Sequence, residues 1–131
     1  MANTFKDALK HRRTYYALSN KSLVPDQTIE ELISHVILHT PSSFNSQSSR
    51  LVLLLGDNHK KLWEITKDAL RKIVPANAFG ATESKINGAF ASGYGTVLFF
   101  EDQAVVKGLQ DAFPSYADNF PVLSQHTSGM H

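Results

Sequence analysis

LVLLL at residues 51–55 is the stretch on which the fold class turns. Five apolar residues in a row, with Arg50 before them and Gly56 and Asp57 after, present no helical face. They fit a strand covered on both sides, and a central position in a sheet is expected. Downstream, TVLFF at 96–100 repeats the pattern as a second strand, and the glycines at 93 and 95 read as a tight turn into it. Glycines that cradle a phosphate follow a strand; these precede one, which sets a phosphate loop aside.

Around the two strands the sequence alternates with helical periodicity. Asp57 or Asn58 can cap a helix in which Leu62, Ile65, Ala69 and Ile73 face one way until Pro75, with Trp63 at the edge of that face. The segment 75–95, rich in Gly, Ala and Ser, shows no strong period and is expected to be loop with a turn or two of helix. Glu101 and Asp102 begin a helix carrying Val105, Val106, Leu109 and Phe113, and Pro114 ends it. On the N-terminal side, Pro25 and Asp26 open a helix with Asp26 as N-cap. Its apolar stripe is Ile29, Leu32, Ile33, Val36 and Ile37, and Pro41 forces it to end near His39 and Thr40. Before it, Thr4 and Asp7 form an N-cap pairing for a short helix that runs into Lys10, His11, Arg12 and Arg13. At 124–131, SQHTSGMH is expected to begin a helix, with Thr127 or Ser128 as cap and Met130 among the first helical residues. The expected order is helix, helix, strand, helix, strand, helix. Two strands do not make a covered sheet, so the chain is expected to stop before its fold is complete.

The 131 residues, 42% hydrophobic, suit a single domain with a real core. A formal charge of +1 without a run of like charges gives no diffuse polyanion-binding face, so no nucleic-acid partner is expected. The absence of cysteine removes disulfides, thiolate nucleophiles and Cys-based zinc sites. No apolar run is long enough for a bilayer, and MANTFKDALKHRR carries charge where a signal peptide needs its apolar region. A cytoplasmic protein without membrane attachment is expected.

A search for protein-based catalysis finds little. Of six histidines, only His35 and His39 stand at i, i+4, without an HExxH arrangement or a third ligand, so no metal site is expected. The serines lie in no GxSxG elbow, and no catalytic residue is assigned. Two features remain. In HRRTYYAL at 11–18, two guanidiniums and a threonine hydroxyl lie side by side after a helix, a set that can take a phosphate, although taken alone it is ordinary helix termination. In TPSSFNSQ at 40–47, Ser42, Ser43, Asn45 and Gln47 present short polar groups suited to a polar heterocycle or a ribityl chain, although taken alone such groups make turns.

With ALKHRRTYYAL, PDQTIEELISHVILHTPSSFNSQ and LVLLL in this order and spacing, the sequence resembles the nitroreductase family. The segments KINGAFASGYGTVLFFEDQ and FPSYADNFPVLSQHTSGMH are similar to its fatty-acid-repression-mutant subgroup. The resemblance implies an α+β fold, a three-layer α/β/α sandwich with a mainly antiparallel sheet, as one domain over 1–131 whose C-terminal part is missing. It implies a homodimer with FMN at the interface, in which NAD(P)H reduces the flavin and the flavin reduces a nitroaromatic, a quinone or a similar small-molecule acceptor. By matching position, Arg12, Arg13 and Thr14 would bind the phosphate and nearby flavin atoms. Ser42, Ser43, Asn45 and Gln47 would bind the isoalloxazine or ribityl groups, some of them from the dimer partner. Many members carry a basic residue near the flavin N1 edge where this chain has Tyr16, which leaves Arg13, Lys85 or a group the sequence does not identify for that charge. The alternatives are a non-catalytic flavin-binding or regulatory module, or an inactive fragment of such an enzyme. A nucleic-acid surface on Arg12, Arg13, Tyr15 and Tyr16 is disfavoured by the near-neutral charge.

Overall fold

The computed structural model describes residues 4–131. They form α1 (Phe5–His11), α2 (Asp26–His39), β1 (Ser49–Leu55), α3 (Gly56–Arg71), α4 (Ala76–Ala89), β2 (Gly95–Glu101), α5 (Gln103–Ala112) and α6 (Phe120–Met130), with 3-10 turns at Ser43–Asn45 and Pro114–Asn119. The class is α+β with an antiparallel sheet, as expected. Two compact units divide the chain: Met1–Lys21 with Gly56–Tyr94, and Ser22–Leu55 with Gly95–His131.

The second unit is built on the ladder that joins β1 to β2, antiparallel and in register from Ser49 opposite Glu101 to Leu55 opposite Gly95. Gly95 is required by that closeness, because a Cβ there would lie 2.5 Å from Leu55 Cδ2 and 2.9 Å from the Leu54 carbonyl oxygen. Helices α2 and α6 pack against β1, and α6 also against β2. The expectation of a strand buried on both faces is not met: Val52 is 41% exposed, and Phe99 and Phe100 about half exposed. The sheet among the described residues has two strands, so each strand has an open edge and neither face is fully covered. The buried residues of this unit are Val106 on α5, Phe120, Ser124 and Thr127 on α6, and Ser48 and Ser49 at the start of β1.

One polar knot ties the end of the ladder to α6. Ser48 Oγ donates to Glu101 Oε2 at 2.6 Å, Ser49 Oγ donates to Oε1 at 3.3 Å, and Ser128 Oγ donates to the same Oε1. A carboxylate leaving water needs such donors, and three hydroxyls supply them. Ser128 thus lies in the last turn of α6. The expected helix start at 124–131 is corrected: α6 begins at Phe120, with Pro121 in its first turn, and Thr127 bonds back to the Leu123 carbonyl at 3.1 Å instead of capping.

In the first unit α1 begins as read, with a full capping box between Thr4 and Asp7. α3 starts at Gly56, whose φ of +52° suits glycine, and α4 is a helix of 14 residues where loop was expected. The correction has a plain cause. Phe79, Glu83, Ile86 and Phe90 recur at i, i+4, i+7 and i+11 among small residues, and that stripe meets α3. Trp63 stacks on Phe90 with centroids 5.2 Å apart, Ile86 is buried, and the Arg71 guanidinium lies 4.6 Å over the Phe79 ring while pairing with Asp68 and Glu83. Buried Lys67 is held by Glu64 at 2.7 Å and donates to Asn87 Oδ1 at 3.2 Å.

Candidate cofactor-binding site

α2 ends where Pro41 requires, and Thr40 closes it by donating its backbone N–H to the Val36 carbonyl at 3.0 Å. The chain then makes a tight turn without glycine. Phe44, Asn45 and Gln47 have φ of 56°, 51° and 50°, the left-handed region that costs a non-glycine residue roughly 1–2 kcal/mol. Asn tolerates it; for a bulky residue such as Phe44 it is an outlier. Short bonds close the turn: Asn45 N–H to the Ser42 carbonyl at 2.9 Å, Gln47 N–H to Ser42 Oγ at 3.0 Å, and Gln47 Nε2 to Asn45 Oδ1 at 3.2 Å.

This turn borders a cavity of about 420 Å³, a size in the range of cofactor and small-molecule sites. Ser42, Asn45 and Gln47 line it, with Ile37, Leu38 and Pro41 as an apolar wall. Ser43 does not line it and instead accepts the Ser46 N–H on its carbonyl oxygen at 3.1 Å. Six polar lining residues were not singled out for this site from sequence: His39, Thr40, Ser49, Arg50, Thr127 and His131. Arg50 is the cation of the group, fixed by Asp102 at 3.1 Å and by the carbonyls of Gln47 and Ser49 at 2.8 and 2.9 Å. Its place at the head of an apolar run was the only available signal. For Thr127 and His131 there was none, because they reach the cavity through a helix whose start was misread.

The donor set fits a flat heterocycle with a polar edge: hydroxyl and amide groups that both donate and accept, one guanidinium, and an aliphatic wall. The remaining expected residues belong to the other unit. Arg12 is the C-cap of α1, and Arg13 folds its Nη1 back onto the carbonyls of Lys10 and Arg12, at 2.7 Å each. Thr14 and Tyr16 are exposed in the segment that follows, and Lys85 is exposed on α4. The rings of His35 and His39 lie 4.4 Å apart, and the described residues contain no group of three metal-ligating side chains.

Known proteins place this arrangement in a family. The profile of the Nitroreductase family matches residues 9–126. The chain is 36% identical to HBN1 and 35% identical to the nitroreductase FRM2, both of Saccharomyces cerevisiae, over 130 residues each. It spans 63% and 62% of their lengths. Among solved structures it is similar to the nitroreductase CinD of Lactococcus lactis in complex with chloramphenicol, with a TM-score of 0.80 and 42% identity, covering 97% of this chain and 63% of that one. CinD in complex with 4-nitrophenol gives 0.79. A Saccharomyces cerevisiae nitroreductase gives 0.79 at 31% identity, covering 96% of this chain and 68% of that one. By the extent of the profile match and the identity to these relatives, the chain belongs to the nitroreductase family.

Proposed function

We propose that the protein is an FMN-dependent oxidoreductase, a cytoplasmic homodimer that takes its electrons from NAD(P)H. The observation that carries this reading is the turn at 42–47, which sets the side chains of Ser42, Asn45 and Gln47 on a cavity of cofactor size. Bound there, FMN would accept a hydride equivalent from NAD(P)H and pass electrons to a nitroaromatic, a quinone or a similar acceptor. Nitroaromatic acceptors come into the proposal from the lactococcal relative, which was solved with 4-nitrophenol and with chloramphenicol.

The chain's own residues bind and orient. The amides of Asn45 and Gln47 each offer a donor and an acceptor, the pattern that the edge of the isoalloxazine requires, while the Ser42 hydroxyl suits the ribityl chain; Ser43, outside the cavity lining, is assigned there by the resemblance alone. The resemblance assigns Arg12, Arg13 and Thr14 to a phosphate; to take it, Arg13 would exchange the two backbone carbonyls it now holds for charge-assisted bonds to the anion. Tyr16 stands where many members carry a basic residue, and Lys85 is proposed as a cation for charge that develops on reduction. Ile37, Leu38 and Pro41 exclude water from one side of the cavity.

The test is the visible spectrum of the purified chain, with any released chromophore identified by mass. Stoichiometric FMN, and an affinity lowered about tenfold by Gln47→Ala, support the reading, since the loss of one or two bonds to a ligand has that size. A colourless chain that takes up no added FMN overturns it for this polypeptide. A second reading is a flavin-binding module without turnover. Retained FMN without NAD(P)H oxidation would select it.

A further inference from the structure

Phe44 sits between Ser43 and Asn45 in the turn assigned to the flavin, yet its side chain is turned away. Ser42, Asn45 and Gln47 line the cavity and Phe44 does not. Its ring packs instead on three others, with centroids 5.1 Å from Phe113, 5.2 Å from Phe120 and 6.1 Å from Tyr116. Phe120 is 1% exposed and is the fixed point of the group, while Phe113 lies 6.2 Å from it. We infer that Phe44 is a positioning residue: its ring, seated on Phe113, Tyr116 and Phe120, holds the turn at 42–47 in the left-handed conformation that presents Ser42, Asn45 and Gln47 to the cavity. The part that concerns FMN rests on the function proposed above; the anchoring of the turn does not.

The backbone has no preference of its own for this shape. Residues 41–50 contain no glycine, and three of them have positive φ. The hydrogen bonds inside the turn are local and exposed, so water replaces them readily if the turn relaxes. The ring contacts are different. Returning Phe44 to negative φ swings its Cβ away from the cluster, and aromatic packing at these distances is lost with no substitute from solvent. The anchoring rings come from the end of α5, the following 3-10 turn and the first residue of α6. Residues with no place in the cavity lining therefore set the shape of its polar edge.

The experiment compares wild-type chain with Phe44→Ala, Phe44→Gly and Phe44→Tyr, by hydrogen exchange of peptides covering 41–50 without cofactor and by FMN titration. In Phe44→Ala, exchange at 42–47 is expected to rise about tenfold, with the ladder and α6 unchanged, and FMN affinity to fall by a similar factor. Phe44→Tyr keeps the ring and restores both. Phe44→Gly loses the ring but adopts positive φ freely, and is expected to bind FMN between wild type and Phe44→Ala. Should Phe44→Ala not fold, Phe113→Leu removes one partner ring from outside the turn and is expected to give the same local exchange. Unchanged exchange at 42–47 overturns the anchoring. Faster exchange with unaltered FMN affinity overturns the positioning role. Faster exchange in a chain whose wild type takes up no FMN leaves the anchor in place and removes the flavin reading instead.

Discussion

The turn between α2 and β1 and helix α4 are both made largely of short residues, and they are held in unlike ways. α4 satisfies its backbone through its own helical ladder, and its side chains have only to dock: Ile86 and Phe90 against α3, Asn87 onto Lys67, Glu83 onto Arg71. The turn at 42–47 has almost no ladder and carries three non-glycine residues at positive φ. Its conformation is set by the Ser42 hydroxyl within the turn and, from outside it, by the rings on which Phe44 packs. Sensitivity to substitution is distributed accordingly. A helix spreads its stability over many equivalent bonds, whereas a strained turn concentrates it in a few contacts and keeps its polar groups free for a ligand.

The largest expected effect falls on the anchor of the turn. Phe120→Ala removes a ring that is 1% exposed and is expected to destabilise its unit by about 3–5 kcal/mol, measured by denaturant unfolding. Exchange at 42–47 should rise with it. Protection of the turn that survives the loss of Phe120 would break the comparison, because the turn would then be self-supporting.

On the helix side, Ile86→Ala empties a buried position on α4 and is expected to cost about 2–5 kcal/mol. Exchange should rise along α4 and leave 42–47 unaffected. A sharper contrast is Gly80→Ala. A Cβ at Gly80 meets nothing within 4 Å, so alanine should stabilise α4 by roughly 0.5–1 kcal/mol through lost freedom of the unfolded chain. Alanine at Phe44 is expected to do the opposite. Opposite signs for the two alanines in thermal melts would sharpen the distinction between a self-held helix and an externally held turn.

How legible this was in the sequence follows the same division. α1, α2, α5 and both strands were readable because their caps, stripes and prolines are local: Thr4 with Asp7, Pro41, Asp102, Pro114; at the start of α2, however, Pro25 and not Asp26 is the N-cap. The start of α6 was misplaced because Pro121 looks like a break, although a proline in a first turn is compatible with helix. The length of α4 was missed because its stripe is diluted by Gly80 and Gly88, and its partner helix is what makes the stripe count. In the candidate site, Ser42, Asn45 and Gln47 could be named from the resemblance, and they line the cavity. Arg50, Thr127 and His131 could not, since their approach to it depends on the ladder and on α6. Nothing local marks Phe44, because positive φ is a consequence of where its ring is seated.

The smallest effect expected is electrostatic and lies in the first turn of α3. Lys60 donates to Asp57 Oδ1 at 2.9 Å, and that hydrogen bond, with the ammonium charge, holds the Asp57 carboxyl below its ordinary value of 3.8. The helix dipole acts in the same direction. A depressed carboxylate pKa means that the stabilisation is fully present above 3.8 and is lost as pH falls through the lower, folded-state value. Asp57 is fully exposed, so solvent and salt screen the pair and its share of stability is slight. Titration of the Asp57 carboxyl by NMR should show a midpoint below 3.8 that moves upward in Lys60→Met, with no change in exchange at 42–47. A midpoint that stays put in Lys60→Met would assign the shift to the helix dipole alone. The ordering of α3 would then owe nothing to the pair, and the helix side of the comparison would rest on its backbone and its apolar stripe.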